Sequence, residues 1–336
     1  MNYIELSDNQ SRVLVDVKQT YEAYRQAWFA AKSFTGGMSW KKVGEKEYLV
    51  RVTNRRGGNK SLGVRSPETE RIHREFCDGK LRTQERMTQL ESSLSEMSGM
   101  SIGVGINRVP NVVADILRKF DEFGVLGKCI QVIGTNAMYG YESTAGVMFD
   151  AGLLATTDVD FMWDAKSRLK LTFQDDEVHQ EGVLALLKKV DKSFEPLYKN
   201  GFRAVNKKGF FVDLVRAMPS PPWREDIPDR ISVGDLIPSG IDSLKWLLAS
   251  PRFKSTVIAQ DGTPAPMVSP DPRAFAIHKM WLSRQNDRDP EKKNRDQKQA
   301  LSVASLVKEK LRHLKFGDET ELMFPSEVRS AGIFLP

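Results

Sequence analysis

Apolar Val15, Tyr21, Tyr24, Ala27 and Trp28 recur at roughly helical spacing and predict an N-terminal helix. EYLVRV and SLGV then flank Gly57-Gly58, the pattern of a β-hairpin. Ser66-Pro67-Glu68 offers an N-cap serine and a first-turn proline, opening a helix whose charged body runs from about Glu70 to Ser98. A Gly/Ser-containing segment near 98–106 breaks the pattern before VPNVVADILRKFDEFGVL, a short amphipathic helix. From Lys128 the character changes. CIQVIG, TDVDFMW, LKLTF, FRAVNK and FFVDLVRAM predict five strands. TNAMYGYESTAG reads as a helix opening directly from the first strand, and GVLALLKKVDKSF as one between the third and fourth. Strands alternating with helices give an α/β (α+β) core with a mixed sheet. PSPPWREDIP reads as a linker, KSTVIAQDGTPAPMV as a hairpin turning at Asp261-Gly262, and two helices follow at about 270–284 and 289–313. Three regions are expected: an N-terminal helix–hairpin region (1–127), the core (128–218), and a C-terminal hairpin with a helical domain (219–336).

Composition narrows the class without naming a function. The chain has 336 residues, 40% hydrophobic and 28% charged, an ordinary globular balance. No apolar run approaches the roughly 18 residues of a membrane span, so no membrane partner is expected. The first ten residues lack a basic and then apolar leader. Cys77 and Cys129 are the only cysteines and stand in no metal-binding cluster, which predicts a reducing, cytoplasmic setting and no structural zinc. The net charge of +6 permits a polyanionic partner without requiring one. Residues 51–65 hold Arg51, Arg55, Arg56, Lys60 and Arg65 with no acid among them. They can track a nucleic-acid backbone or form a solvated hairpin tip.

Three acids carry the chemistry. Asp158 and Asp160, two apart on a strand, point to one face while Val159 and Phe161 pack on the other. Carboxylates this close repel, and a divalent cation bound between them relieves the cost. Asp213 sits in the apolar strand FFVDLVRAM, where either Arg216, Arg203 or a metal must compensate it. A third acid on a neighbouring strand is what two-metal phosphoryl transfer needs. VIGTNA puts Gly134 and Thr135 at a strand-to-helix junction, where glycine lets a phosphate approach the free N–H groups of the first turn and Thr135 adds a hydroxyl.

Together these residues resemble the DNA polymerase β-like nucleotidyltransferase superfamily. GTNAMYGYESTAGVMFDAGLLATTDVDFMWD followed by GFFVDLVRA is similar to a bacterial family of nucleotidyltransferase-like proteins, over roughly residues 35–310. The resemblance implies a nucleotidyltransferase core and an enzyme moving a nucleoside monophosphate from an NTP to an acceptor hydroxyl on RNA (tRNA among the candidates), a protein or a small molecule, with Mg²⁺ or Mn²⁺. Asp158, Asp160 and Asp213 would ligate metal, with Asp213 as general base, and Gly134, Thr135 and Asn136 would meet the phosphates. The interval from Thr135 to Asp158 is longer than in most of the superfamily, so AMYGYESTAGVMFDAGLLAT is expected to hold extra structure. HKMWLSRQNDRDPEKKNRD is also similar to the C-terminal Lys and Arg-Asp region of toxin-type nucleotidyltransferases. There Lys279 either snorkels or meets phosphate, Arg284, Arg288 and Arg295 are further candidates or a solvated face, and Asp296 would orient one of them. His278 reads as a packed core histidine or, next to Lys279, as a nucleotide contact. The alternatives are a catalytically silent module of the same fold and a basic nucleic-acid-binding partner.

Overall fold

The computed structural model describes residues 3–52, 58–164, 182–219, 234–317 and 322–332. In chain order the elements are β1 (Tyr3–Glu5), α1 (Asp8–Lys32), β2 (Gly37–Val43), β3 (Lys46–Val52), β4 (Asn59–Val64), α2 (Pro67–Val104), α3 (Asn111–Glu122), β5 (Ile130–Ile133), α4 (Ala137–Ala145), β6 (Val147–Phe149), α5 (Ala151–Leu154) and β7 (Asp158–Trp163). There follow α6 (Val183–Val190), β8 (Glu195–Pro196), β9 (Arg203–Val205), β10 (Phe211–Ala217), β11 (Ser239–Ile241), α7 (Leu244–Ala249), β12 (Arg252–Ile258), β13 (Pro264–Pro270), α8 (Pro272–Leu282), α9 (Pro290–Glu309) and α10 (Ser326–Gly332). They form two compact units. One is Arg12–Val104 with Gly262–Pro264; the other gathers Met1–Ser11, Gly105–Asp261 and Ala265–Pro336.

In the smaller unit β2, β3 and β4 form an antiparallel sheet, one strand more than the expected hairpin. The extra strand, GMSWKKV, shows no clean alternation, so its pairing with β3 carries it. One sheet face lies on α2: Leu49 is buried, the Trp40 ring meets His73 at a tilt with centroids 5.7 Å apart, and the Arg51 guanidinium lies 4.0 Å over Phe76. Helix α2 starts where Ser66 and Pro67 predict, with the Thr69 N–H reaching the Ser66 hydroxyl at 3.3 Å. Its end differs from expectation. It runs on to Val104 through the Gly/Ser segment, where the Ser98 hydroxyl folds back onto the Leu94 carbonyl at 2.8 Å instead of competing for a turn.

The larger unit is built on a mixed six-stranded sheet in the order β5-β7-β10-β9-β8, with β11 also on β10. Strand β10 runs parallel to β7 and β11 and antiparallel to β9, and β5 runs antiparallel to β7. The mixed α/β character is the one expected. Helix α3 buries Val113, Ala114, Ile116, Leu117 and Phe120, and Phe120 meets Phe161 of β7 edge-on at 5.0 Å. Each of these side chains larger than alanine contributes about 1.5–3 kcal/mol. The long interval before Asp158 does contain extra structure: α4, the short strand β6 and the single turn α5. Strand β6 pairs with β1, a strand not foreseen from sequence.

Strands β12 and β13 form the expected hairpin. Helices α8 and α9 open with the same device, an aspartate followed by proline. The carboxylates of Asp271 and Asp289 accept from the N–H groups of Arg273 and Glu291 at 2.8 and 2.9 Å. These two helices pack on each other. The expected strand LKLTF and most of the proline-rich linker lie outside the described residues.

Candidate active site

Strand register sets the acidic constellation. Within β7, Val159 and Phe161 are fully buried in the core, so Asp158 and Asp160 face the other side, as alternation requires. Strand β10 lies parallel beside β7 with Asp213 level with Asp160. On the other edge of β10, Arg203 of β9 stands directly opposite Asp213. Its guanidinium donates two bonds to that carboxylate, Nε to Oδ1 at 2.6 Å and Nη2 to Oδ2 at 2.5 Å. Of the partners open to Asp213 from sequence, the structure places Arg203 there. That fork raises the Arg203 pKa through its bonds to Asp213.

Strand β5 flanks β7 on the opposite side with Ile133 level with Asp160, so Gly134 emerges beside that carboxylate. Gly134 has φ +64°, and a Cβ there would stand 2.5 Å from Asp160 Oδ2. Only glycine satisfies both the backbone and the contact. The Asn136 amide donates to the Asp158 carbonyl at 2.8 Å, tying the turn before α4 to the acid strand. The Thr156 hydroxyl donates to Asp158 Oδ1. Thr135 is buried, and its hydroxyl accepts from Gln299 Nε2 at 3.1 Å; Gln299 also donates to the Leu153 carbonyl at 2.8 Å. Asn136 Oδ1 and Gln299 Oε1 are buried without a hydrogen-bond partner among the described residues.

The electrostatics centre on Asp160. Burial, then the neighbouring charges of Asp158 and Asp213, push its pKa up to about 6, against a downward pull from Lys279 and Arg203. Lys279 of α8 is buried and donates to Asp296 Oδ1 at 2.6 Å, while Arg288 binds Asp296 Oδ2 at 2.8 Å. Burial lowers the Lys279 pKa despite Asp296, and Asp296 is held below the usual carboxylate range because its two cations outweigh its own burial. Asp296 thus does orient an arginine, Arg288. Arg284 lies exposed just past α8. His278 is buried, bonded to the Ser243 hydroxyl at 3.0 Å, and burial drops its pKa to about 3, which keeps it neutral.

The structure therefore brings Asp158, Asp160, Asp213, Gly134 and Asn136 together at one end of the adjacent strands β5, β7 and β10 and sets Lys279 within electrostatic reach of Asp160. Gln299 and Thr156 were not foreseen. A glutamine inside the apolar stripe of Ala300, Ala304 and Val307 was the available signal for the first. Among the described residues no three His, Cys, Asp or Glu side chains are grouped so as to hold a metal ion. No helix among the described residues is long and apolar enough to cross a membrane.

An acid-x-acid strand, a third acid in register on its parallel neighbour and a glycine turn against the middle carboxylate thus lie together in the larger unit. The chain belongs to a nucleotidyltransferase family, whose pattern matches residues 111–323 and so spans the acids, the glycine turn and both C-terminal helices α8 and α9. Its class of chemistry is nucleotidyl transfer. No curated protein and no solved structure matches the chain.

Proposed function

We propose that the chain transfers a nucleoside monophosphate from an NTP to an acceptor hydroxyl, with the triphosphate at the Gly134-Thr135-Asn136 turn and Asp158, Asp160 and Asp213 at the reacting phosphorus. The observation that carries it is the in-register acid trio beside a glycine that admits no side chain. In the reaction the acceptor oxygen bonds to the α-phosphorus, the bond to the β-phosphate bridging oxygen breaks, and pyrophosphate leaves. Asp213, once Arg203 has freed one of its oxygens, takes the acceptor proton, and Lys279 offsets negative charge at the phosphates.

A divalent cation suits part of this set. Asp160 has its pKa raised first by burial and then by the neighbouring charges of Asp158 and Asp213, a cost that a bound cation would relieve. Asp158 and Asp160 would hold Mg²⁺ or Mn²⁺, which supplies charge neutralisation of the triphosphate. Asp213 would join them only after Arg203 releases at least one of its oxygens. Incubation with α-labelled NTP and a panel of tRNA, protein and small-molecule acceptors tests the reading. Label should move to one acceptor class and vanish in Asp160→Asn; equal labelling by that variant would overturn it.

One observation favours a second reading, a family member that binds nucleotide without turning it over: both oxygens of Asp213 are occupied by Arg203. Calorimetric titration of NTP with and without Mg²⁺ separates the two. Metal-dependent affinity supports the enzyme, and metal-independent binding the silent module.

A further inference from the structure

The net charge of this chain is confined to one unit. Residues 12–104 hold 17 Lys and Arg against 11 Asp and Glu, so the small unit accounts for all of the chain's +6. The unit with the acidic site is neutral. A long polyanion therefore has its electrostatic reason to bind in the small unit.

Strand register says where. On the sheet face turned away from α2, Lys41 lies opposite Tyr48 and Val43 opposite Lys46. Lys46 and Tyr48 are two apart on β3 and share that face. The two lysines thus bracket the ring, with Ser39, Asn59 and Ser61 exposed around them. Val43 and Val64 on the same face are 57% and 42% exposed. The strand's own acid, Glu47, points the other way, where it bonds Arg65 at 2.6 Å, and Arg65 in turn lies over Trp40 at 5.0 Å. The open face carries no carboxylate from its strands, and its lysines have no ion-pair partner among the described residues.

We propose that this face of the β2-β3-β4 sheet binds a single-stranded nucleic acid, the acceptor of the transfer proposed above, with phosphates at Lys41 and Lys46 and a base stacked on Tyr48. The choice of a single strand follows from the chemistry. A duplex would use the lysines and leave the ring idle, whereas unpaired bases present π-faces to an aromatic platform flanked by cations. An acidic protein segment would meet the lysines but has no equivalent use for the tyrosine among exposed valines. This rests on the nucleotidyltransferase reading only for the role of acceptor; the binding itself needs no NTP.

The test is fluorescence anisotropy of the full chain with a labelled 20-nucleotide single-stranded RNA, without NTP or metal, across a salt series. Wild type should bind with affinity falling steeply as salt rises. Lys41→Gln/Lys46→Gln should bind about tenfold more weakly and lose about 1.4 from the log–log salt slope, roughly 0.7 for each phosphate contact on a single strand. Tyr48→Ala should weaken binding about tenfold with the slope unchanged, because stacking releases no counterions. Both variants should keep the thermal melt and circular dichroism of wild type, which excludes misfolding of the sheet. Asp158→Asn should bind RNA normally. The proposal is overturned if wild type ignores RNA at low salt, if the three sheet substitutions leave binding intact, if Asp158→Asn abolishes it, or if poly-glutamate competes as well as RNA. Should RNA bind as described while no acceptor takes up label, the catalytic reading fails and the binding face stands.

Discussion

At the scale of the residue, Asp160 is a carboxylate set beside two others. A carboxylate whose folded pKa is raised binds its proton more tightly in the folded state, so stability falls as pH rises from the unfolded value near 4 to about 6. Two units correspond to at most about 3 kcal/mol. His278 works in the opposite sense: with its pKa dropped to about 3, the unfolded state binds the extra proton, and stability rises with pH up to about 6.5. The two slopes oppose each other between pH 4 and 6, so the wild-type profile alone hides both. The difference between Asp160→Asn and wild type isolates the first. In chelator, the variant should gain stability over wild type from pH 4 upward, level off above pH 6, and be inactive. Chemical denaturation at five pH values checks it, and a difference that does not change with pH would refute it. Asp158 and Asp160 were legible from alternation alone, since strand periodicity fixes their common face. Whether Arg203 or Arg216 serves Asp213 was not, because that depends on which strand becomes the neighbour of β10.

Elements turn those residues into a site through register. The Arg203–Asp213 pair exists because β9 meets β10 with those two positions opposite. Breaking a buried pair costs about 3–5 kcal/mol. Arg203 keeps a third of its side chain in water, so Arg203→Gln should cost less, about 2 kcal/mol. With Asp213 released, the variant should recover part of that loss on adding Mg²⁺ and need less Mg²⁺ for nucleotide binding. Thermal melts across a Mg²⁺ series read both, and an unchanged Mg²⁺ requirement would separate Arg203 from the metal. The β5-to-α4 turn makes a second prediction. Gly134→Ala forces a positive φ, which costs about 1–2 kcal/mol, and pushes a methyl into Asp160. Nucleotide turnover should fall at least tenfold while the melting temperature drops only a few degrees. The strand-to-helix junction was visible in VIGTNA, but the partner that demands glycine there lies on another strand. Gln299, 164 positions from Thr135, could be found only once α9 was placed.

At the scale of the molecule, the larger unit is discontinuous, and its first piece lies before the whole of the smaller one. Strand β1 pairs Tyr3 with Phe149, Ile4 with Met148 and Glu5 with Val147, some 140 residues onward. Three residues with no alternation to speak of give no sequence signal for such a pairing; the long-range partner decides it. Tyr3 fixes the strand. It is 9% exposed, its ring meets Phe149 edge-on at 6.1 Å, and its hydroxyl donates to Glu309 of α9 at 2.5 Å. Burial, reinforced by Glu309, pushes its pKa up to about 12, so the bond persists through neutral pH. Close by, Lys310 bonds Glu5 at 2.5 Å. The chain start thus joins β6, in the interval before the acid strand, to the end of the helix whose Asp296 and Gln299 serve Lys279 and Thr135. The aromatic pair is worth about 0.5–1.5 kcal/mol and a bond to a charged acceptor about 1.5–3. Tyr3→Ala should therefore lower the stability of the larger unit by about 2–4 kcal/mol, a melting shift of roughly 5–15 °C at this size. Tyr3→Phe, which keeps the ring and loses the hydroxyl, should account for the larger share of that loss. If Tyr3→Phe melts with wild type, the hydroxyl contributes nothing, and β1 is held by its ladder to β6, the ring contact with Phe149 and the Lys310–Glu5 bond.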